Sequence, residues 1–143
     1  MTLDLNMGSY HIELSPSSKC LCTIVMPFGK YEYQCLPMGL CNSHDIFQER
    51  MYEIFSDLEY VRVYIDDLLV TSCLTFEEHL QNLELVFSRL SEAGLKINTN
   101  KSHFAVSEIE YLGYWITRNG IQPVPKKVEA IQCIASPTTI KQV

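Results

Sequence analysis

A pair of adjacent aspartates divides two strongly β-prone arms in the segment 61–72, which reads Val-Arg-Val-Tyr-Ile-Asp-Asp-Leu-Leu-Val-Thr-Ser. Branched and aromatic residues dominate both arms and favour a pleated strand, whereas aspartate favours turns. The segment therefore predicts a β-hairpin with Asp66 and Asp67 at or near its bend. Adjacent carboxylates at the tip of apolar arms repel each other, and a bound cation relieves that repulsion.

The chemistry of this pair points to a hard divalent cation. Carboxylate oxygens are the ligands that Mg²⁺ and Mn²⁺ prefer, and Mg²⁺ commonly combines one or two protein carboxylates with substrate phosphates. Asp4 stands between Leu3 and Leu5, so a neighbouring strand could supply a third acid for a two-metal phosphoryl-transfer or nucleotidyl-transfer site. A solvated pair of turn aspartates without a ligand is the alternative that the pair alone leaves open.

The remaining pattern predicts an α+β fold in which an antiparallel sheet packs on helices. An apolar run over 20–26 and an alternating run over 31–35 flank the turn signal Pro27-Phe28-Gly29, which predicts a second hairpin. We expect one aromatic strand over 110–117. We expect helices over 43–58, with Asn42 or Ser43 as the cap, from a Thr75–Glu78 capping box to Gly94, and from Pro125 to before Pro137. The middle helix should bury the following residues: Phe76, Leu80, Leu83, Phe87 and Leu90.

Length and composition set limits on the kind of protein. The 143 residues suffice for one domain, and 47% hydrophobic residues with 20% charged residues are typical of a globular chain. Because no apolar run reaches about 18 residues and the N-terminus lacks a signal peptide, we expect an intracellular protein without a membrane span. The six cysteines form no C-x-x-C pair, which predicts reduced and mostly buried thiols.

The net charge of −6 argues against a nucleic-acid binder, but the charge is unevenly distributed. Residues 1–92 hold 14 acidic and 5 basic residues, whereas residues 93–143 hold 3 acidic and 6 basic residues. The acidic excess therefore belongs to the part that contains the aspartate pair. The basic residues are concentrated from Lys96 onwards.

A succession of short motifs resembles the reverse transcriptases of gypsy-type long-terminal-repeat retrotransposons. Tyr64-Ile65-Asp66-Asp67 is similar to the Y-x-D-D box of that family. The other matching segments follow the family's order over nearly the whole chain: Leu3-Asp4-Leu5 with Tyr10-His11-Ile12, Pro27-Phe28-Gly29-Lys30-Tyr31-Glu32-Tyr33, Leu36-Pro37-Met38-Gly39-Leu40, Phe47-Gln48-Glu49, Glu77-Glu78-His79-Leu80, Ala93-Gly94-Leu95-Lys96-Ile97-Asn98 and Tyr111-Leu112-Gly113-Tyr114.

The resemblance implies a right-hand polymerase palm over 1–117 and the start of a thumb or connection segment over 118–143, with fingers and thumb truncated. It implies an RNA-directed DNA polymerase that uses two Mg²⁺ or Mn²⁺ ions held by Asp4, Asp66 and Asp67. Its partners would be a primed RNA or DNA template and deoxynucleoside triphosphates. The fingers, the thumb and a ribonuclease H segment would belong to a parent polyprotein.

The resemblance also implies roles for individual residues. Lys101 matches a lysine proposed to protonate the pyrophosphate leaving group, although a solvated cation is nearly as good an interpretation. Leu112, Gly113 and Tyr114 match the primer grip. The positions that match nucleotide-binding residues are Leu5, Ser9, Tyr10, Pro37, Met38, Gly39, Tyr64 and Ile65.

Three departures from the family pattern carry expectations of their own. Ser9 replaces a bulky aromatic residue whose ring blocks a ribonucleotide 2′-hydroxyl, which predicts poor sugar discrimination unless Tyr10 compensates. His44 replaces a proline at the start of a helix, at little expected loss. Only three residues precede Asp4, which predicts fraying there. A catalytically inactive remnant of a mobile element, which at most binds nucleic acid or partner proteins, is therefore the alternative function.

Overall fold

The computed structural model describes residues 1–72 and 75–134. Eight strands alternate with helices over this part of the chain. The strands are β1 (Thr2–Asp4), β2 (Thr23–Met26), β3 (Gly29–Glu32), β4 (Val61–Tyr64), β5 (Asp67–Val70), β6 (Ile109–Tyr111), β7 (Tyr114–Thr117) and β8 (Gly120–Pro123). The α-helices are α1 (Pro16–Lys19), α2 (Ser43–Phe55), α3 (Phe76–Glu92) and α4 (Pro125–Gln132), and a 3-10 helix spans Gly8–His11.

A three-stranded antiparallel sheet with the order β1-β5-β4 organises the first of two units, Met1–Phe104. Its apolar face and the buried sides of α2 and α3 enclose one core, which includes Leu3, Phe47, Met51, Leu68 and Val86. Phe47, Met51 and Phe55 recur every four residues along α2, so one stripe of that helix is buried. The predicted α+β fold with antiparallel pairing is confirmed.

The short strand β1 is paired along both edges. It runs antiparallel to β5 on one side. On the other side, Thr2 and His103 exchange two backbone hydrogen bonds of 3.0 and 2.9 Å, and the Asn98 N–H donates to the Asp4 carbonyl at 2.8 Å. The Ser102 hydroxyl accepts the Asp4 N–H at 3.1 Å. The predicted fraying at Asp4 is therefore wrong, because the segment 97–103 supplies the partners that hold this strand.

The helix boundaries follow local signals closely, but the buried face of α3 differs from the prediction. Thr75 caps α3 by accepting the Glu78 N–H at 3.2 Å, and Gly94 adopts a φ of +70° immediately after the helix. His79, Leu83, Val86 and Leu90 are the buried residues. Phe76 and Leu80 are 59% and 50% exposed, so the predicted stripe is wrong at its N-terminal end. Compared with the predicted stripe, the face of α3 that contacts the core is rotated around the helix axis toward Val86.

The predicted hairpin around Pro27-Phe28 is confirmed as β2 and β3. The first arm is shorter than expected, because α1 and the turn after it occupy the chain up to Cys22. Five described cysteines are free, as expected, but Cys20, Cys41 and Cys133 are exposed and Cys22 and Cys35 are half-buried. The prediction of mostly buried thiols is therefore wrong for them, since they lie in loops and turns rather than in the sheet. Cys73 lies outside the described residues.

The second unit begins at Ala105 and contains the antiparallel sheet β6-β7-β8 followed by α4. The single strand predicted over 110–117 is wrong: a turn at Leu112 and Gly113, with φ of +50° and +80°, folds this segment into a hairpin. Strand β8 was not predicted. Helix α4 starts at Pro125 as expected and spans Pro125–Gln132, and the predicted end before Pro137 lies outside the described residues. The palm boundary predicted at 117 stays a prediction.

Candidate metal centre at the hairpin tip

The main sheet places three aspartates together at one end. Asp4 ends β1, Asp67 begins β5, and the two residues are direct cross-strand partners. Tyr64 and Asp67 also pair, so the bend between β4 and β5 consists of Ile65 and Asp66. The Asp66 carbonyl accepts the Leu5 N–H at 2.8 Å, which ties the bend to the chain just beyond Asp4. The hairpin predicted over 61–72 is confirmed, with Asp66 in the bend and Asp67 at the start of a strand.

The surroundings of Asp66 and Asp67 disfavour the ionised form of both carboxyl groups. Burial raises the pKa of Asp66, and the charges of Asp4 and Asp67 raise it further, while the Gly8 backbone N–H and His44 act in the opposite direction. Burial and the Asp4 charge likewise raise the pKa of Asp67, with Lys101 opposing them. The three carboxylates therefore repel one another in a partly desolvated place, which is where a cation stabilises a protein most.

Lys101 lies at this end of the sheet. Its Nζ is 3.8 Å from Asp4 Oδ1, and its side chain is 67% exposed. The turn that carries it, 98–102, is the same one that hydrogen-bonds to β1. An exposed ion pair of this length contributes little to stability. Its position nevertheless brings a cation to the carboxylates, and its predicted role toward the pyrophosphate leaving group stays a prediction.

The carboxylate oxygens are suitable ligands for a divalent cation, but they do not converge on a single ion position. Asp66 Oδ1 is buried without a hydrogen-bond partner, so one hard oxygen is available for a ligand. Among the residues that the structure describes, no group of three His, Cys, Asp or Glu side chains stands within coordinating distance of a common ion. The hairpin and β1 nevertheless bring the three residues to one sheet end.

Sequence reasoning assigned no role to two residues that contact the bend, Gly8 and Gln48. A Cβ on Gly8 would lie 2.2 Å from Phe47 Cζ and 2.9 Å from Asp66 Oδ1, so only glycine permits this approach. Gln48 contacts the backbone of the hairpin from α2. Neither contact follows from periodicity or charge. A glycine four residues after Asp4 was the one available signal, and its meaning depends on a tertiary contact.

The residues predicted to contact a nucleotide differ in accessibility. Three of them are buried: Leu5, Ser9 and Pro37. The others are exposed or half-buried: Tyr10, Met38, Gly39, Tyr64 and Ile65. All of them belong to the unit that holds the aspartates.

The residues predicted as the primer grip form the tip of the β6–β7 hairpin in the second unit. Leu112 and Gly113 make the turn, and Tyr114 begins β7. Leu112 and Tyr114 are 47% and 54% exposed. Both side chains are therefore accessible to a ligand, which is compatible with the predicted role but does not require it.

In the parts of the chain that the structure describes, none of the helices has the length and apolar character that a bilayer crossing needs.

Comparison with protein families gives one match, over residues 1–116, to a family described as reverse transcriptase (RNA-dependent DNA polymerase). The chain is 40% identical over 143 residues to the retrovirus-related Pol polyprotein from transposon opus of Drosophila melanogaster. It is 30% identical over 144 residues to the Pol polyprotein from transposon gypsy of the same organism. Each alignment covers 99% of this chain but only 14% of the relative.

Solved structures with the same fold include foamy viral protease-reverse transcriptases. A foamy viral protease-reverse transcriptase in complex with double-stranded DNA matches 99% of this chain with a TM-score of 0.88 and 30% identity, over 25% of its own length. The same kind of protein in complex with an RNA/DNA hybrid matches with a TM-score of 0.84 and 30% identity, over 19% of its length. The backbone of this chain therefore corresponds to a limited segment of a larger molecule.

Proposed function

Because this chain belongs to the reverse transcriptase family, we propose that it is the catalytic palm of an RNA-directed DNA polymerase. The reaction is template-directed nucleotidyl transfer from deoxynucleoside triphosphates to a primer. The observation that carries the proposal is the placement of Asp4 and Asp67 on paired strands and of Asp66 in the adjoining bend, at one sheet end, with repelling charges and an unpartnered Asp66 oxygen. Foamy viral relatives that bind double-stranded DNA and RNA/DNA hybrid support a primed template as the partner.

In the proposed mechanism, Asp4, Asp66 and Asp67 hold two Mg²⁺ or Mn²⁺ ions. When bound, such ions lower the pKa of a primer 3′-hydroxyl and neutralise triphosphate charge. The chain's own contribution is to keep the three carboxylates at one sheet end, through the Asp4–Asp67 register and the hydrogen bond from Leu5 N–H to the Asp66 carbonyl. Holding the three carboxylates at one sheet end limits how far they must move to bind an ion.

Lys101 is proposed to donate a proton to the pyrophosphate leaving group. Its ammonium pairs with Asp4 at 3.8 Å and is largely exposed, so it can move toward a negatively charged product without breaking a buried contact. The residues predicted to contact the nucleotide lie in the same unit, whereas the primer-grip assignment of Leu112, Gly113 and Tyr114 rests on the sequence motif.

We expect the 143-residue protein to bind Mn²⁺ but to extend a primer poorly by itself. The chain spans 14% of its curated relatives, and we expect efficient extension to need template and triphosphate contacts from the rest of such a polymerase. Electron paramagnetic resonance of free Mn²⁺ measures binding, and a primer-extension assay with Mg²⁺ measures turnover. A longer protein that continues this reading frame on both sides should extend the same primer.

The alternative function, a non-catalytic remnant that only associates with nucleic acid or partner proteins, predicts a different pair of results. Neither the 143-residue protein nor the longer one would incorporate nucleotides, even with Mn²⁺ bound. Efficient extension by the 143-residue protein alone would contradict our expectation that the segment depends on its flanking regions.

Sugar selection provides a separate prediction at Ser9, which is buried and carries no ring. We expect the longer protein to incorporate ribonucleotides readily, since nothing at position 9 clashes with a 2′-hydroxyl. Ser9→Tyr should raise the preference for deoxynucleotides about tenfold, measured as the ratio of kcat/KM values for the two sugars. Tyr10→Ala is the companion variant, because Tyr10 is adjacent and 39% exposed. Strong deoxynucleotide preference in both the unaltered protein and Tyr10→Ala would refute the prediction.

A further inference from the structure

The bend that carries Asp66 is strained. Ile65 adopts a φ of +51°, in the left-handed region that branched residues rarely occupy. Such a conformation is unfavourable for a branched residue and persists only when surrounding contacts enforce it. Hydrogen bonds between β4 and β5 close the hairpin on one side of Ile65. The other side of β4 is an edge of the sheet, since the strand order is β1-β5-β4.

Gln48 makes two hydrogen bonds to the backbone of this hairpin. Its Oε1 accepts the Ile65 N–H at 2.7 Å, and its Nε2 donates to the Val63 carbonyl at 3.2 Å. A carboxamide presents an acceptor and a donor side by side, so one side chain imitates the peptide group of a further strand. Both bonds are partly buried, which makes them costly to lose because water replaces them poorly.

Helix α2 fixes the position of Gln48. Its neighbour Phe47 is 2% exposed, and Met51, one helical turn further, is fully buried, so this part of the helix cannot slide over the sheet. The amide is therefore held where Ile65 needs a partner. The contact joins the helix to the residue immediately before Asp66, and loosening it would let the bend relax away from the left-handed conformation.

We infer that Gln48 is a positioning residue: by holding Ile65 in its left-handed conformation, it sets the orientation of Asp66 and Asp67 and hence their affinity for divalent metal. The inference rests on the proposed function for its metal-binding part. It acts through its two hydrogen bonds to the backbone of Val63 and Ile65. Replacement of Ile65 by glycine, which adopts positive φ freely, should make Gln48 largely dispensable.

The test compares Gln48→Met with Gln81→Met in the full 143-residue chain. Methionine keeps an unbranched side chain and good helix propensity but removes both hydrogen bonds. Gln81 is exposed on α3 and serves as the matched control. Gln48→Met should weaken Mn²⁺ binding about tenfold, the scale of losing a contact that orients a metal ligand, and should speed hydrogen exchange at the Ile65 amide about tenfold. Gln81→Met should change neither measurement.

A double-mutant cycle with Ile65→Gly separates positioning from general stability. In that background, Gln48→Met should change Mn²⁺ affinity less than about threefold, since glycine relieves the strain that Gln48 opposes. An equal loss of affinity in both backgrounds would overturn the inference, as would unchanged Ile65 exchange in a folded Gln48→Met protein. If the unaltered chain binds no Mn²⁺, the proposed function fails, and so does the metal-binding part of this inference. Ile65 exchange then still decides whether Gln48 holds the bend.

Discussion

Asp66→Asn is expected to abolish productive metal binding and, at the same time, to stabilise the metal-free protein. Asp66 is partly desolvated and repelled by Asp4 and Asp67, so its ionised form is unfavourable in the folded state. Its buried Oδ1 has no hydrogen-bond partner. Asparagine removes the charge but keeps the shape, so the repulsion by Asp4 and Asp67 is lost and the free energy of unfolding of the metal-free protein should rise.

The effect on metal should be opposite and larger. An amide is a weaker ligand than a carboxylate for a hard cation, and we expect Mn²⁺ affinity to fall at least about 100-fold, beyond what the loss of a merely orienting residue causes. Urea unfolding in the presence of a chelator measures stability, and Mn²⁺ titration measures affinity. Glu84→Gln, an exposed carboxylate on α3, is the control for removing one negative charge. A destabilised Asp66→Asn protein would contradict the electrostatic argument.

The same argument fixes the direction of the pH dependence. A raised pKa means that folded Asp66 and Asp67 bind protons more tightly than in the unfolded chain. Their contribution to stability is therefore largest below the ordinary aspartate pKa and decreases as pH rises through the raised pKa values. When a chelator removes metal, Asp66 and Asp67 should therefore make the protein more stable at mildly acidic pH than at neutral pH. Asp66→Asn should flatten that part of the profile.

The sequence was sufficient to predict the hairpin and the neighbouring strand that bring the aspartates together. Both depend on local signals: β-prone arms around Asp66-Asp67, and apolar residues on either side of Asp4. Family motifs added Lys101, which lies 3.8 Å from Asp4. The exact bend, with Ile65 rather than Asp67 in the turn, depends on the register and on Gln48 and could not be read from the pattern.

Contacts between distant parts of the chain were the least predictable. The bridge between Thr2, in β1, and His103 joins segments about a hundred residues apart, and no periodicity in the sequence signals it. The prediction of one strand was wrong at Leu112. A leucine at positive φ is rare, and the sequence Tyr-Leu-Gly-Tyr resembles a continuous strand. The exposed Phe76 is a further example. Helical spacing identifies an apolar stripe along α3, but it does not tell which side of the helix packs against the core.

Gly8→Ala is expected to be the most damaging glycine-to-alanine change in the first unit. The added Cβ would lie 2.2 and 2.7 Å from two ring atoms of Phe47, which is itself 2% exposed and cannot move into solvent. Overpacking of this kind typically destabilises by about 1–3 kcal/mol. Gly39→Ala is the matched control, because nothing lies within 4 Å of its added Cβ. Urea unfolding should therefore separate the two variants by at least about 1 kcal/mol.

The damage should have two separable parts, because the same Cβ would also lie 2.9 Å from Asp66 Oδ1. Phe47→Leu removes the ring atoms that collide with the new methyl group, so Gly8→Ala should destabilise the Phe47→Leu protein less than it destabilises the unaltered one. The contact with Asp66 remains in that background, and Mn²⁺ affinity should stay reduced. Full recovery of metal binding together with stability would mean that Gly8 acts only through Phe47. Recovery of stability alone would establish that the close approach of Gly8 also shapes the carboxylate that binds metal.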